Sequence, residues 1–467
     1  MPKRIVSPAQ RQSDATALIT SGPVWRAVWY LAWPSAVNTI ILAAYNIINR
    51  IFVGYLPNAV PSQAAVGVGG NALNYLFVVA TGLSAGTSAL VSRSLGADKR
   101  EDAVQAARQS LVMCLLLGVA AGVPFCLLAR WLVTLIGAKG DVLPLAADYT
   151  ALIGWSTIPM FVNFITVAVL RSQGDALSPL YAGAVNIAVN VVLDRVLILG
   201  FGCVPAMGIH GAAVATLVAR LAAMSMSLWF LSRSALSECL HKWRLDLGWQ
   251  WRILAIGWAA SSGNLLMTTA SSAYMHVLSM LPNGQATTAL AAYGVAIVLE
   301  AIAFQPGIAF GIAAAPLVGQ NLGAGKPDRA ARCGWVAAGQ AAAIMGLLAI
   351  SFVTIPEYLA KPFVHGRDLG LIPVIAAYLR INSFSEPFLA FNMVLRGALQ
   401  GAGDTLVPML ITAFSMWAVR IPLAWLLAIH LRMGASGAWW AMSVTCCLSG
   451  ALMAVWFRVG RWREKAV

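Results

Sequence analysis

Long apolar runs fill most of the chain, and short polar or basic stretches separate them. Twelve runs are long enough, as helix, to cross about 30 Å of hydrocarbon. They cover residues 25–55, 64–92, 104–136, 143–170, 178–200, 208–232, 251–281, 287–320, 331–356, 372–399, 405–429 and 435–460. Several exceed 25 residues, which predicts tilt, kinks or ends that leave the membrane. The pattern predicts an all-α polytopic membrane protein of twelve transmembrane helices.

The connections between runs alternate in charge. One set carries Arg93, Lys99 and Arg100, then Arg171, then Arg233, Lys242, Arg244 and Arg252, then Lys326, Arg329 and Arg332, together with both termini. The other set includes LPNAVPSQ at 56–63, residues 200–207 and LPNGQATT at 281–288, and carries only Lys139, Lys361, Arg367 and Arg432 as basic residues. The positive-inside bias assigns the first set to the cytoplasm, with both termini inside, and this requires an even number of spans.

A repeat divides the runs. VSRSLGADKREDA at 91–103 recurs as VGQNLGAGKPDRA at 318–330, at a constant offset of 227. Leu170, Gly174, Asp175 and Pro179 match Leu399, Gly403, Asp404 and Pro408, and Gly208, Gly211 and Ala212 match Gly434, Gly437 and Ala438. The matches keep their order and fall at equivalent ends of equivalent runs. Six spans per half start the second half on the same side as the first, so the halves are parallel repeats about an axis along the membrane normal. The expected organisation is a cytoplasmic tail (1–24), an N-lobe (25–232), a cytoplasmic linker (233–250), a C-lobe (251–460) and a cytoplasmic tail (461–467).

Composition narrows the function. The chain is 60% hydrophobic and 10% charged, against about 25% charged for a soluble domain, so the bilayer replaces water over most of the surface. The net charge of +14 reads as cytoplasmic loop bias rather than nucleic-acid binding. Cysteines at 114, 126, 203, 239, 333, 446 and 447 form no CxxC pair, which points to small apolar packers and away from disulfides or zinc. The N-terminus lacks the short apolar core and cleavage site of a signal peptide, so the first span is expected to direct insertion. No HExxH, GxSxG or paired acidic motif at a span end suggests an enzyme, and no cofactor is expected. His210, His276 and His430 have no metal-site spacing.

Charged groups inside apolar runs are costly and usually functional. They are Arg50, Asp194, Arg195, Arg220, Glu300, Arg380, Glu386, Arg396 and Arg420. Arg220, Arg380, Glu386 and Arg396 read mainly as structural, because long basic chains snorkel and some of these positions approach span ends. Asp194 is the strongest candidate, in the middle to outer half of its span. Asn190 lies four residues earlier, so the two share a helix face. A carboxylate and an amide carbonyl offer hard oxygens to sodium; alternatively the buried acid takes up and releases a proton. The structural alternative is a static pair with a nearby arginine. Glu300 is the second candidate, for substrate or proton contact, with a pair to Arg380 or Arg420 as its structural alternative. Trp243, Trp249, Trp251, Trp456 and Trp462 read as interfacial anchors, and Trp417 and Trp425 as candidate cavity walls. Pro34, Pro124, Pro159, Pro306 and Pro422 mark candidate kinks.

The chain resembles the multidrug and toxic compound extrusion (MATE) family over residues 25–460. The resemblance rests on Pro34 before Tyr45–Gly54, on Leu95-Gly-Ala, on Asn186-Ile-Ala-Val-Asn190-Val-Val-Leu-Asp194, on Pro316–Ala324 and on Gln400–Asp404. Ala292–Glu300 resembles the prokaryotic damage-inducible branch. The family implies two six-helix lobes around a V-shaped cavity, alternating access, and efflux of amphipathic, often cationic compounds in exchange for protons or sodium. It also implies an N-lobe cation site at Asp194 and Asn190, joined by Thr216, and a monomer in a prokaryotic inner membrane, with small molecules and membrane lipid as partners. One departure matters: Asn49 stands where the family usually has Asp. Arg50 follows it, and Arg195 follows Asp194 where Pro is common. An arginine there would compete with a bound cation. Residues 264–275 hold no seventh-span acid. A flippase for lipid-linked oligosaccharide or another phosphate-bearing lipid is the competing expectation, on the strength of Arg50, Arg195, Arg380, Arg396 and Arg420.

Overall fold

The computed structural model describes residues 8–54, 59–202, 205–282, 284–364 and 370–465; the side chains of 8–14, 43–51, 53–54 and 59–60 lie outside the described residues. Nineteen α-helices account for nearly all of it, with no β-strand among the described residues. The first half holds α1 (Pro8–Ser21), α2 (Val24–Gly54), α3 (Ala59–Gly96), α4 (Arg100–Leu127), α5 (Ala129–Ile136), α6 (Val142–Gly154), α7 (Thr157–Ser172), α8 (Leu177–Leu199) and α9 (Gly208–Ser232). The second holds α10 (Leu247–Ser279), α11 (Gln285–Ala303), α12 (Gln305–Gly323), α13 (Pro327–Thr354), α14 (Pro356–Ala360), α15 (Leu371–Ser383), α16 (Glu386–Gly401), α17 (Leu406–Ala413), α18 (Ile421–Trp425) and α19 (Gly434–Val459).

Each predicted run falls on helix, but not all are continuous. The third divides at Leu128, one turn past Pro124. The fourth divides after Gly154 into α6 and α7, which meet at a 47° bend. The eighth divides at Phe304, where Pro306 enters the first turn of α12, a position that needs no N–H donor. The tenth divides between Ser383 and Glu386, with Pro387 in the first turn of α16. The eleventh stays helical but widens to π-helix at Phe414–Arg420 and Leu426–His430, on either side of the segment holding Pro422. Among the described residues, eight helices are long and apolar enough to cross a membrane, or nine if α6 and α7 count as one bent span.

Contacts divide the chain into two compact units, Met1–Gly22 with Trp33–Ser261 and Val467, and Pro23–Ala32 with Ser262–Ala466. The division falls inside α10 rather than in the preceding linker. The reason is packing: Ile253 and Ile256 of α10 join the core of Leu83, Leu90, Leu111 and Phe161. Small residues permit the approach, because a Cβ at Gly86 would lie 2.5 Å from the Ile253 carbonyl oxygen. In the second unit Gly397 of α16 packs on Gly311 of α12 with no room for a Cβ. There an apolar core of Leu278, Ala292, Ile375, Leu379 and Trp439 lies around α11, α15 and α19.

Candidate functional site

In the first unit the site is built on α8 and α9. These helices pack closely because Gly211 faces the Leu197 carbonyl, which a Cβ would approach to 2.5 Å. Asn190 and Asp194 are one turn apart on the buried face of α8, at 3% and 0% exposure. Asn190 Nδ2 donates to Thr216 Oγ1 across the interface at 3.4 Å, and the Thr216 hydroxyl donates to the Ala212 carbonyl at 2.9 Å. Asn190 Oδ1 and both oxygens of Asp194 have no partner among the described residues. The result is a buried set of hard oxygens with no hydrogen-bond donor on it among the described residues, suited to a proton or a small hard cation.

The static-pair alternative for Asp194 finds no partner among the described residues. Arg195 is exposed, since neighbouring positions on a helix point apart. Arg220 instead donates to Ser156 Oγ at 2.6 Å, the residue before α7. Asn49 and Arg50 fall within α2, but their side chains lie outside the described residues.

The second unit is arranged differently. Glu300 on α11 is 4% exposed and accepts the Tyr378 hydroxyl at 2.5 Å. Tyr378 packs edge-on against Trp439 with ring centroids 4.9 Å apart, and Trp439 stacks on Tyr293 at 6.1 Å. Arg420, also buried, donates to Thr445 Oγ1 at 2.9 Å and to Cys446 Sγ at 3.1 Å. Its charge acts on Glu300, although no ion pair joins the two. Arg380 faces away and pairs with Glu357 at 2.7 Å. Arg396 donates to Asn264 Oδ1 at 2.6 Å.

Glu386 reads from the sequence as mainly structural. It is 1% exposed, heads α16, feels the charge of Glu300, and neither carboxylate oxygen has a partner among the described residues. The available signal was an acid directly before Pro387 within an apolar run, the pattern of a helix start. Trp462 was misread as an interfacial anchor. It is 1% exposed and stacks on Phe457 at 4.6 Å, because the chain turns back at Gly460. Trp417 and Trp425 are partly exposed, at 41% and 48%. Among the histidines, His210 lies 3.6 Å from Asp148 at the surface and His430 stacks on Trp425. The described cysteines are free, and no cluster of three or more metal-ligating side chains occurs among the described residues.

The MatE family model matches residues 34–196 and 260–426. The probable multidrug resistance protein NorM of Thermotoga maritima is 25% identical over 445 residues, covering 94% of this chain and 93% of that protein. The multidrug resistance protein NorM of Burkholderia vietnamiensis is 27% identical over 429 residues, covering 91% of each. Among solved structures, a MOP superfamily transporter from Pyrococcus furiosus superposes with a TM-score of 0.86 at 22% identity, covering 97% of this chain and 99% of that one. This last likeness concerns the fold.

Proposed function

The chain belongs to the MatE family and is a membrane transporter, not an enzyme; from that membership and the buried acid of the first unit we propose that it exports amphipathic, chiefly cationic organic compounds from the cytoplasm. Efflux is driven by inward movement of protons or sodium, with Asp194 as the coupling acid and Asn190 and Thr216 beside it. The proposed setting is a prokaryotic inner membrane, crossed twelve times by a monomer in two six-helix lobes, with both termini in the cytoplasm. The resistance proteins with which the chain aligns over more than 90% of its length support the substrate class.

The observation that carries the coupling role is the state of Asp194: fully buried, with both oxygens unpartnered among the described residues. Burying an ionised carboxylate alone costs several kcal/mol, and usually far more than a buried amide. Asp194 is therefore neutralised by what it binds, a proton or a cation, and that is the property a coupling site requires. Binding the ion from one side and releasing it to the other couples it to substrate movement. Asn190 Oδ1 adds one further oxygen to the same ion.

The lipid-phosphate alternative draws less support. Of the four described arginines weighed for it, three are engaged singly, Arg380 by Glu357, Arg396 by Asn264 and Arg420 by Thr445 and Cys446, and Arg195 is exposed. A pyrophosphate needs several at one place. The test of the exporter reading is transport of a cationic fluorescent dye by purified protein in liposomes, under a pH or a sodium gradient imposed separately. Gradient-driven dye movement is the expected result, and the gradient that works names the ion. No movement under either gradient defeats the reading.

A further inference from the structure

The recurring turn at 91–103 and 318–330 has no role in the transport chemistry above, yet both copies do similar mechanical work. Asp98 (φ 57°) turns the chain between α3 and α4, and Gly325 (φ 68°) turns it between α12 and α13. Within the first copy, Arg100 reaches the chain that has just left α9. Its Nη2 donates to the Ala235 carbonyl at 2.9 Å and to Glu238 Oε1 at 2.8 Å, and its Nε to Ala235 at 3.3 Å. Two turns along α4, Gln109 is fully buried. Its Nε2 donates to the Arg244 carbonyl at 2.6 Å, and its Oε1 accepts from Asp246 N at 3.2 Å and from Gln250 Nε2 at 2.9 Å. Between these anchors a 3₁₀ turn, Ser237–Leu240, folds down, and Leu236 and Cys239 are 0% exposed.

The second copy holds the chain that has just left α19. Asp328 accepts from Arg463 Nη1 at 3.4 Å. Outside that copy, Asp404 between α16 and α17 also accepts from Lys465 Nζ at 3.0 Å and from Trp456 Nε1 at 2.9 Å. A 3₁₀ turn, Arg461–Arg463, again follows the helix. Trp462 is 1% exposed, and its offset from Leu236 is 226, the same as between Gly211 and Gly437. An exposed ion pair such as Arg100–Glu238 contributes little by itself; the buried plug and the three bonds of Gln109 hold the segment.

We propose that the recurring turn, together with the helix it opens, is an intralobe clamp, which seizes the segment leaving the last helix of its own unit and stays closed through the transport cycle. This goes beyond the exporter reading and is tested apart from it, because Cys239 reports on the clamp directly. In a chain keeping Cys239 as the sole cysteine (with Cys446→Ser, which leaves Arg420 an acceptor), a hydrophilic maleimide is offered to the cytoplasmic face of inside-out vesicles. Burial also pushes the Cys239 thiol up to about 12, and the thiolate is the reacting form. Labelling is expected to be slow, and equally slow with and without dye and gradient. Gln109→Leu with Arg100→Ala is expected to speed it at least about tenfold by local opening. Should the double variant fail to fold, Arg100→Ala alone, at an exposed position, gives a smaller rise in the same direction. Fast labelling of the parent, no response to either variant, or acceleration during transport would each overturn the clamp.

Discussion

In the first unit Asp194 is buried beside Asn190 and Thr216 with its oxygens unpartnered among the described residues. In the second, Glu300 is nearly as buried but accepts a hydrogen bond from Tyr378 and feels the charge of Arg420. Each polar centre spans a helix pair. Asn190 bonds Thr216 across α8 and α9, while Arg420 bonds Thr445 on α19. The broken spans differ in the same sense. Ser156 and Ser385, at the two breaks, are 229 apart. At the first break Arg220 bonds Ser156, the residue before α7, and the second places Glu386 at the N-terminus of α16, the end that favours its charge. The first unit thus sets an acid with no partner among the described residues beside Asn190 and Thr216, whereas the second satisfies Glu300 from within and leaves a separate acid, Glu386, with neither oxygen partnered among the described residues.

The comparison predicts that substitutions in the second unit cost stability, while those in the first cost transport. The largest stability effect is expected for Arg420→Ala. It strips Thr445 and Cys446 of a buried donor and Glu300 of a nearby cation, at about 3 kcal/mol, read as a lower unfolding temperature in detergent. Asn190→Ala, in the first unit, is expected to cost no more than about 1 kcal/mol. Equal losses at the two positions would break the comparison. Tyr378→Phe comes next: Glu300 loses its donor at a cost of about 1–3 kcal/mol, with dye transport retained per folded molecule. Glu386→Gln sharpens the contrast. Transport is expected to stay within about threefold of the parent, under about 1 kcal/mol in barrier. A fall to the level of an Asp194 variant would place a second coupling acid in this unit. Smallest is Arg380→Ala. Its pair with Glu357 is about half exposed, so screening leaves at most about 1 kcal/mol, and neither unfolding nor transport should shift measurably.

Much of the architecture was legible in the chain. The apolar runs fell on helices because length and hydropathy alone determine what the bilayer accepts. The α8 face was legible too, since Asn190 and Asp194 are one turn apart, and the resemblance added Thr216. The breaks were harder to read. Phe304 and Ser385 interrupt runs whose hydropathy never drops, and only Pro306 and Pro387 hint that a new helix begins. Partners across space were hardest. The pattern places Glu300 on its own helix but does not show that Tyr378 comes from α15, or that Arg380 turns outward to Glu357. Trp462 misled for the same reason: a tryptophan near a span end is usually interfacial, and only the fold shows it turning inward.

The measurement closest to the central claim pairs transport with stability for Asp194→Asn. The variant keeps the shape of the side chain and removes its capacity for charge. In liposomes under the gradient that drives the parent, dye movement is expected to fall at least about tenfold, while the unfolding temperature stays level or rises, because a lone buried acid has been removed. Dye movement that survives the substitution would contradict the account and shift coupling to the acids of the second unit.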